Sequence, residues 1–310
     1  MAKGLTAVTG ATGFLGRRLV PALAARGWRV RILARRPPDG SWGGAAPDVV
    51  IGDIEDSEAL RRLADGADVV IHAAGLIKAR SRAAFFAVNV DGARRVARAA
   101  RGRRMILVSS LAAREPGLSN YAASKRAGET AARDGLGEGL TVLRPPALYG
   151  PGDHETLGLF RLAATAPILP TPASRAARVA LAHVDDVAAH ILDRIDGAWT
   201  PGTFAIGGHR PAGYGWREIF TTAAGAVGRA PPLAPAPAWL IAGAAAISEA
   251  VGRWRGAPVI FNRGKARELL HDDWSVRETE MVPGFRPPCV ELSAGFAETV
   301  AWYREHGWLS

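Results

Sequence analysis

The stretch LTAVTGATGFLG, residues 5–16, joins a run of apolar and β-branched residues to a turn rich in glycine. Its first five residues have the composition of a buried strand, and the residues after the turn begin a helical pattern. Glycines at such a turn let backbone N–H groups at the helix N-terminus approach a pyrophosphate, which the helix dipole also attracts. The stretch therefore predicts a dinucleotide-binding site. Its candidate cofactor-binding residues are Gly10, Thr12, Gly13, Phe14, Leu15 and Gly16.

The first half of the chain alternates strand-like and helix-like segments. Strand candidates lie at 5–9, 28–34, 48–52, 68–74, 104–110 and 140–145. Helical stretches lie between most of them, at 14–26, 57–65, 83–101 and 120–134. The strands are nearly continuously apolar, which is typical of strands covered on both faces of a parallel sheet. The alternation predicts an α/β fold with a doubly wound parallel sheet and right-handed crossovers.

The texture of the sequence changes after Pro145, where proline and glycine become frequent and the alternation stops. We therefore predict a dinucleotide-binding domain over 1–150, to which a helix and a strand within 180–208 return. Residues 151–179 and 209–310 are predicted to form a smaller C-terminal substrate-binding region.

Composition excludes several classes of protein. The 310 residues are 48% hydrophobic, as in a globular protein, and the single cysteine, Cys289, excludes an internal disulfide framework. The N-terminus enters a strand without the pattern of a secretory signal, which favours a cytoplasmic protein. The net charge of +10 comes mainly from scattered arginines without a nucleic-acid-binding motif. We expect a small-molecule substrate, no nucleic acid, and a monomer or a homodimer.

The most apolar segment is AWLIAGAAAISEAV, residues 238–251. It is too short to span a bilayer and contains Ser248 and Glu249, so we interpret it as a buried helix. Arg253 and Arg255 follow it closely, and a peripheral contact with a membrane surface is therefore the alternative.

The end of the second strand bears on the choice of cofactor. Proteins that bind NAD have an acidic residue there, about 20 positions after the glycines, which holds the ribose hydroxyls. This chain has Arg35 and Arg36 instead. A guanidinium forms charge-assisted hydrogen bonds with phosphate, which suits the 2′-phosphate of NADP. The arginines favour NADP(H) over NAD(H); the alternative is that both are solvated and NAD binds.

The sequence YAASK places Tyr121 and Lys125 four residues apart, on one face of a helix. A free tyrosine, with a pKa of about 10, is a poor acid–base catalyst near neutral pH. A neighbouring ammonium stabilises the phenolate and lowers that pKa, so the tyrosine can exchange a proton with an alcohol or a carbonyl. The spacing alone is common in amphipathic helices. Together with the glycine turn, it predicts proton transfer coupled to hydride transfer.

These and further motifs follow one another along the chain. They are TGATGFLG (9–16), GDIED (52–56), HAAG (72–75), VNVDG (88–92), VSS (108–110), YAASK (121–125), LRPPALYGPGD (143–153) and HVDDVA (183–188). On these motifs the chain resembles the extended and atypical short-chain dehydrogenase/reductase superfamily, the NAD-dependent epimerase/dehydratase group. The resemblance implies a Rossmann-type fold and an NAD(P)-dependent enzyme.

The resemblance also implies roles for single residues. Asp53 and Ile54 match the pair that contacts adenine, and Ser110 matches the serine that polarises the substrate oxygen. Ser109 is the backup for that role and lines the nicotinamide pocket, while Lys125 also holds the nicotinamide ribose. The remaining cofactor-binding residues implied by the motifs are Ala73, Ala74, Gly75, Asn89, Tyr121 and Pro145.

The loop before the tyrosine is short, because Tyr121 follows Ser110 by only 11 positions. This loop resembles the atypical branch related to the 39-kDa subunit of respiratory complex I, some members of which bind NADPH without known turnover. Three functions stay open: an NADP(H)-dependent oxidoreductase of a secondary alcohol or ketone, a sugar-nucleotide epimerase or dehydratase, and a non-catalytic NADPH-binding assembly or regulatory protein. The serine, tyrosine and lysine argue against the third, since a purely structural role would not require them, and the first is our prediction.

No metal site is predicted, because no group of histidines, cysteines and carboxylates has the spacing of metal ligands. His183 is followed by Asp185 and Asp186, and we interpret these acids as capping or pairing within the fold.

Overall fold

A computed structural model describes residues 3–38, 42–259, 261–282 and 289–310. Contacts divide the chain into two compact units. The first comprises Met1–Pro145 and Val187–Ala205, and the second comprises Pro146–Asp186 and Ile206–Ser310. The second unit therefore includes 146–150, 180–186 and 206–208, which were predicted to belong with the dinucleotide-binding domain.

Strands and helices follow the predicted alternation in the first unit, and the elements of both units are numbered in chain order. The strands are β1 Leu5–Thr9, β2 Arg29–Ala34, β3 Asp48–Ile51, β4 Val69–His72, β5 Arg104–Val108, β6 Leu140–Arg144, β7 Ala147–Tyr149, β8 Leu169–Pro172, β9 Arg178–Val179, β10 Leu181–His183, β11 Gly202–Ala205, β12 Leu233–Ala236 and β13 Asp273–Trp274. The α-helices are α1 Phe14–Ala25, α2 Ser57–Ala64, α3 Arg82–Phe86, α4 Ala93–Ala99, α5 Asn120–Leu136, α6 Leu157–Thr165, α7 Val184–Asp196, α8 Trp216–Ala226, α9 Ala238–Trp254, α10 Arg263–Leu270 and α11 Leu292–Glu305.

The first unit is built on a parallel sheet of seven strands in the order β11-β6-β5-β4-β1-β2-β3. This order confirms the predicted doubly wound sheet and the return of a strand to it after residue 200. From β1 the chain continues to β2 and β3, toward one edge of the sheet. From β4 it continues to β5 and β6, toward the other edge. Such a switch in direction opens a crevice at the carboxyl ends of the two strands, where sheets of this kind bind ligands.

The helix predicted over 83–101 is interrupted. It forms α3, a π-helical turn over Ala87–Gly92, and α4. Helix α5 lies backbone to backbone against this segment, because a Cβ on Gly128 would collide with the carbonyl oxygen of Asn89. A Cβ on Gly135, two turns further on, would lie 3.0 Å from the Cβ of Ala97. The close approach fixes α5, which carries Tyr121 and Lys125, against the sheet's flanking helices.

One strand differs from the expectation that all are covered. At the sheet edge, β3 exposes Val49 and Ile51 by 41% and 47%. The central strands are buried, and their side chains join those of α2, α4 and α5 in one apolar cluster, which includes Leu60, Val96 and Met105. Each large apolar side chain buried in such a cluster contributes about 1.5–3 kcal/mol.

In the described part of the second unit, parallel strands form three pairs, β7 with β10, β8 with β12, and β9 with β13. Its core is aromatic: Phe160 and Phe296 meet edge to face with ring centroids 5.0 Å apart. Tyr303 is buried beside them and donates a hydrogen bond to the carbonyl oxygen of Asp153. The role of this unit in substrate binding stays a prediction.

The apolar segment 238–251 forms α9, as predicted, but the prediction that this helix is buried is wrong. Trp239, Ile247 and Trp254 are 74%, 68% and 85% exposed. Among the residues that the structure describes, no helix combines the length and the apolar character needed to cross a membrane.

Candidate active site

The glycine turn after β1 leaves no room for side chains. Gly10 has a φ of +77°, and a Cβ there would lie 2.5 Å from the backbone nitrogen of Ala74 and 2.6 Å from the carbonyl carbon of Ala73. A Cβ on Gly16 would collide with the carbonyl oxygens of Gly10 and Ala11. Gly10 therefore lies directly against the backbone of the segment after β4, which requires glycine.

The N-terminus of α1 suits an anionic group. Gly13 is the N-cap of α1 and has an extended conformation without a side-chain hydrogen bond. The first turn of α1, every residue of which the structure describes, contains no acidic residue. Thr12 and Gly13 are exposed, whereas the side chain of Leu15 is buried in the core. First-turn N–H groups lack partners within a helix and carry partial positive charge. The cradle formed by the glycines and this helix end fits the diphosphate of a dinucleotide.

Polar contacts fasten the end of β4 to the end of β1. The Ala73 N–H donates to the Thr9 carbonyl oxygen at 3.1 Å, and the Thr9 hydroxyl lies 2.7 Å from Nδ1 of His72. Burial, with a smaller contribution from the charge of Lys125, lowers the pKa of His72 to about 3. His72 is therefore neutral near pH 7 and acts as a hydrogen-bonding group beneath the crevice.

Asn89, predicted to bind the cofactor, fixes the loop that follows β4. Its Oδ1 accepts from the Leu76 N–H at 2.8 Å, and its Nδ2 donates to the Leu76 carbonyl oxygen at 3.0 Å and to Ser124 Oγ at 2.9 Å. The Asn89 amide thus ties the loop to α5. Direct contact between Asn89 and a cofactor stays a prediction.

Lys125 lies close to Asn89, beside the segment that follows β4. Its Nζ donates to the carbonyl oxygen of Val108, the last residue of β5, at 2.8 Å. A Cβ on Gly75 would lie 3.7 Å from this nitrogen and 3.1 Å from Oδ1 of Asn89. Burial lowers the pKa of Lys125 to about 8, and the opposing charge of Glu129 limits that shift. The structure therefore brings Gly75, Asn89 and Lys125 together; their contact with a cofactor stays a prediction.

Tyr121 lies in the first turn of α5, one turn before Lys125. The Ser119 hydroxyl caps this helix by accepting from the Ala122 N–H at 2.9 Å, which fixes where the helix begins. The ring of Tyr121 is half-buried, with its centroid 6.2 Å from that of Phe85. Residues four apart on a helix share a face, so Tyr121 and Lys125 project in the same direction.

The two serines of VSS have different environments. The Ser109 hydroxyl donates to Oε1 of Glu129 at 2.5 Å, and both residues are buried. The Ser110 hydroxyl accepts from the Ala112 N–H at 3.2 Å and keeps its own proton to donate. Leu111, the residue after Ser110, is held in place by a hydrogen bond of 2.8 Å from its N–H to the Pro145 carbonyl oxygen.

An ion pair behind the site was missed from the sequence. Arg144 forms a fork with Glu129, with Nε 2.8 Å from Oε1 and Nη2 2.5 Å from Oε2. Glu129 is 1% exposed, so this carboxylate depends on Arg144 and Ser109 for its hydrogen bonds. The available signal was a glutamate one turn after Lys125 and an arginine that ends a buried strand.

The candidate adenosine end lies at the carboxyl ends of β2 and β3. Arg35 and Arg36 are exposed directly after β2. The Gly52 N–H donates to the carbonyl oxygen of Ala34 at 3.0 Å, so Arg35 and Asp53 both follow directly on this contact. Oδ1 of Asp53 accepts from the Glu55 N–H at 3.0 Å.

The side chain of Ile54 is partly buried and packs against the π-helical turn. A Cβ on Gly92 would lie 2.6 Å from Cδ1 of Ile54, so this side chain fills the space above the π-helical turn. Contacts of Asp53, Ile54, Arg35 and Arg36 with a cofactor stay predictions.

The second unit brings together three groups of the kinds that bind metals. Nδ1 of the buried His183 lies 3.8 Å from Asp185 Oδ2, and its Nε2 lies 3.7 Å from Glu298 Oε2. The two ring nitrogens thus face different carboxylates, both of which are exposed. Asp186 accepts a hydrogen bond from the Val290 N–H at 3.1 Å, in agreement with the predicted pairing within the fold.

Comparison with known proteins supports the interpretation of the motifs. The family model described as NAD dependent epimerase/dehydratase matches residues 6–207. The chain is 51% identical over 313 residues to the ceramide reductase of Caulobacter vibrioides, covering 99% of this chain and 97% of that one. It is 31% identical over 210 residues to the mitochondrial NADH dehydrogenase (ubiquinone) 1 alpha subcomplex subunit 9 of Dictyostelium discoideum, covering 64% of this chain and 57% of that one.

A solved structure shares the fold. The crystal structure of gox2253 aligns with a TM-score of 0.77 at 22% identity, covering 99% of this chain and all of that one. At this identity the likeness concerns the fold alone. The predicted Rossmann-type fold and the superfamily resemblance are confirmed by these matches.

Proposed function

The chain belongs to the NAD-dependent epimerase/dehydratase family, and on this premise we propose that it is an NADP(H)-dependent reductase of a keto-ceramide. Such a substrate is a ceramide with a ketone in place of a backbone hydroxyl group. Its family and its relatives make the chain an NAD(P)-dependent oxidoreductase or epimerase. The observation that carries the choice of substrate is the 51% identity to a ceramide reductase, which extends over 99% of this chain.

The reduction adds a hydride to the carbonyl carbon and a proton to the carbonyl oxygen, which gives a secondary alcohol. A bound nicotinamide cofactor supplies the hydride. Tyr121 donates the proton to the oxygen as general acid. Ser110 donates a hydrogen bond to the same oxygen and stabilises the negative charge that develops there. Its environment supports this assignment over Ser109, whose hydroxyl is held by Glu129.

Lys125 stabilises the phenolate that proton transfer leaves on Tyr121. The anchor to the carbonyl oxygen of Val108 keeps the ammonium group close to the tyrosine's face of α5. With a pKa of about 8, Lys125 remains mostly charged near pH 7. We also assign it a hydrogen bond to the nicotinamide ribose.

The glycine cradle and the open end of α1 support the assignment of the pyrophosphate to residues 10–16. The exposure of Arg35 and Arg36 supports NADP(H) as the cofactor, because it leaves them accessible to a 2′-phosphate. We propose that the second unit binds the lipid substrate and that the enzyme works in the cytoplasm.

A sugar-nucleotide epimerase uses the same groups but returns the hydride to its substrate, so it consumes no NADPH. The test is therefore to incubate purified protein with NADPH and a short-chain, water-soluble keto-ceramide, and separately with NAD+ or NADP+ and UDP-sugars. Reduction of the keto-ceramide with equimolar loss of NADPH supports the proposal. Interconversion of UDP-sugars without net reduction of the oxidised cofactor, or NADPH binding with no turnover of either class, refutes it.

A further inference from the structure

The exposed side of α9 is a continuous apolar face. Positions on this face follow one another at spacings of four, three, four and three residues: Leu240, Ala244, Ile247, Val251 and Trp254. Residues at such spacings project from one side of a helix. All five are exposed, and none is polar or charged. We call these five residues, with Trp239 at the N-terminal end, the apolar face of α9.

The other side of α9 already has a partner. Ile241 and Ala245 are buried in a small apolar cluster with Ala266 of α10. Glu249 also points to this side, where its Oε2 accepts from the N–H of Arg263 at 3.3 Å. The helix is therefore held in place by α10, and the described residues leave its apolar face exposed.

Basic residues lie at the C-terminal end of α9 and at the start of α10. Arg253 and Arg255 are exposed in and after the last turn of α9, and Arg263 and Lys265 are exposed in the first turns of α10. The net charge of the whole chain, +10, has the same sign. A surface that is apolar along one helix and basic at its end is complementary to anionic lipid headgroups over acyl chains.

We propose that the apolar face of α9 docks on the surface of an anionic lipid bilayer. The helix has 17 residues and is therefore about 25 Å long, and it would lie flat in the plane of the interface. Trp239 and Trp254, near its two ends, are the side chains that settle at the level of the headgroups. The proposal concerns how the protein reaches a membrane and does not depend on its substrate.

The test uses the full chain and vesicles that contain no substrate. Flotation with vesicles of phosphatidylcholine and phosphatidylglycerol should carry wild-type protein upward at low salt. Ile247→Ser and Trp254→Ser should each weaken partitioning roughly tenfold, since each removes a large side chain from the lipid. Ile168→Ser is the matched control, because Ile168 is 52% exposed but lies outside α9. The double variant Arg253→Gln/Arg255→Gln should weaken binding to anionic vesicles and leave less dependence on salt.

Circular dichroism and thermal unfolding establish that each variant folds. Failure of the wild-type protein to float with anionic vesicles at low salt overturns the proposal, as does an equal loss in Ile168→Ser. So does a change of oligomeric state in Ile247→Ser, measured by light scattering, without any change in flotation. That result would assign the face to a second copy of the chain. None of these outcomes bears on the reductase test, which uses a soluble substrate.

Discussion

The hydroxyl group of Ser109 is committed to the buried carboxylate of Glu129, to which it donates a hydrogen bond of 2.5 Å. We propose that the neighbouring Ser110, whose hydroxyl oxygen accepts from the Ala112 N–H, donates a hydrogen bond to a substrate oxygen. We therefore expect Ser110→Ala to lower kcat by about 10²–10³-fold, the effect of removing one donor to a developing oxyanion. Ser109→Ala should change kcat far less and act mainly on stability. Equal losses of kcat in the two variants would contradict the assignment.

The pair formed by Arg144 and Glu129 should stabilise the fold behind the site. Arg144→Leu leaves the carboxylate buried without its partner, which costs about 3–5 kcal/mol in the free energy of unfolding. Urea unfolding followed by circular dichroism measures this cost. Arg133→Leu is the control, since Arg133 is exposed and donates a surface hydrogen bond to Thr203. A loss no larger in Arg144→Leu than in this control would contradict the prediction.

This ion pair illustrates what the sequence could not predict. Glu129 and Arg144 lie on different elements, and only the packing of α5 on the sheet brings them together. The π-helical turn around Asn89 likewise lies against another helix, which approaches it at Gly128. Local patterns cannot report contacts of this kind.

By contrast, the strands of the sheet and the glycine turn were predictable because their signals are local. Apolar runs fix the strands, and the collision of an added Cβ explains why Gly10 and Gly16 must be glycine. The burial of α9 was predicted wrongly. The sequence shows that a helix is apolar, but it does not show whether other elements cover each of its faces. Here α10 covers one face of α9, and the other face is exposed.

The affinity for NADPH should depend on pH through Lys125. An anionic cofactor beside the ammonium group raises the pKa of that group in the complex, so binding takes up a proton wherever free Lys125 is neutral. The dissociation constant should be constant from pH 7 to about 8, the pKa of Lys125 in the free protein, and should then increase with pH. The limit is about tenfold per pH unit.

Fluorescence titrations with NADPH measure this dependence, and Lys125→Met is the comparison. The variant should bind NADPH more weakly below pH 8, and its dissociation constant should not change as pH rises further. If the variant reproduces the pH dependence of the wild-type protein, another group is responsible.

The choice between the two cofactors should depend on Arg35 and Arg36. Replacing both with glutamine removes charge-assisted hydrogen bonds to the 2′-phosphate, each worth about 1.5–3 kcal/mol. NADPH affinity should fall at least on the order of tenfold to a hundredfold, while NADH affinity changes little. Arg98→Gln removes an exposed charge from the end of α4 and is the matched control. Equal affinity of the wild-type protein for NADH and NADPH would refute the proposed preference.

The central claim is that Tyr121 transfers the proton that completes the reduction of a keto-ceramide. The most direct measurement is the rate of alcohol formation in a single turnover, with NADPH already bound to wild-type protein and to Tyr121→Phe. Phenylalanine keeps the ring, so folding and NADPH affinity should persist while the rate falls by roughly 10²–10⁴-fold. Formation of the alcohol by Tyr121→Phe at the wild-type rate would contradict the account.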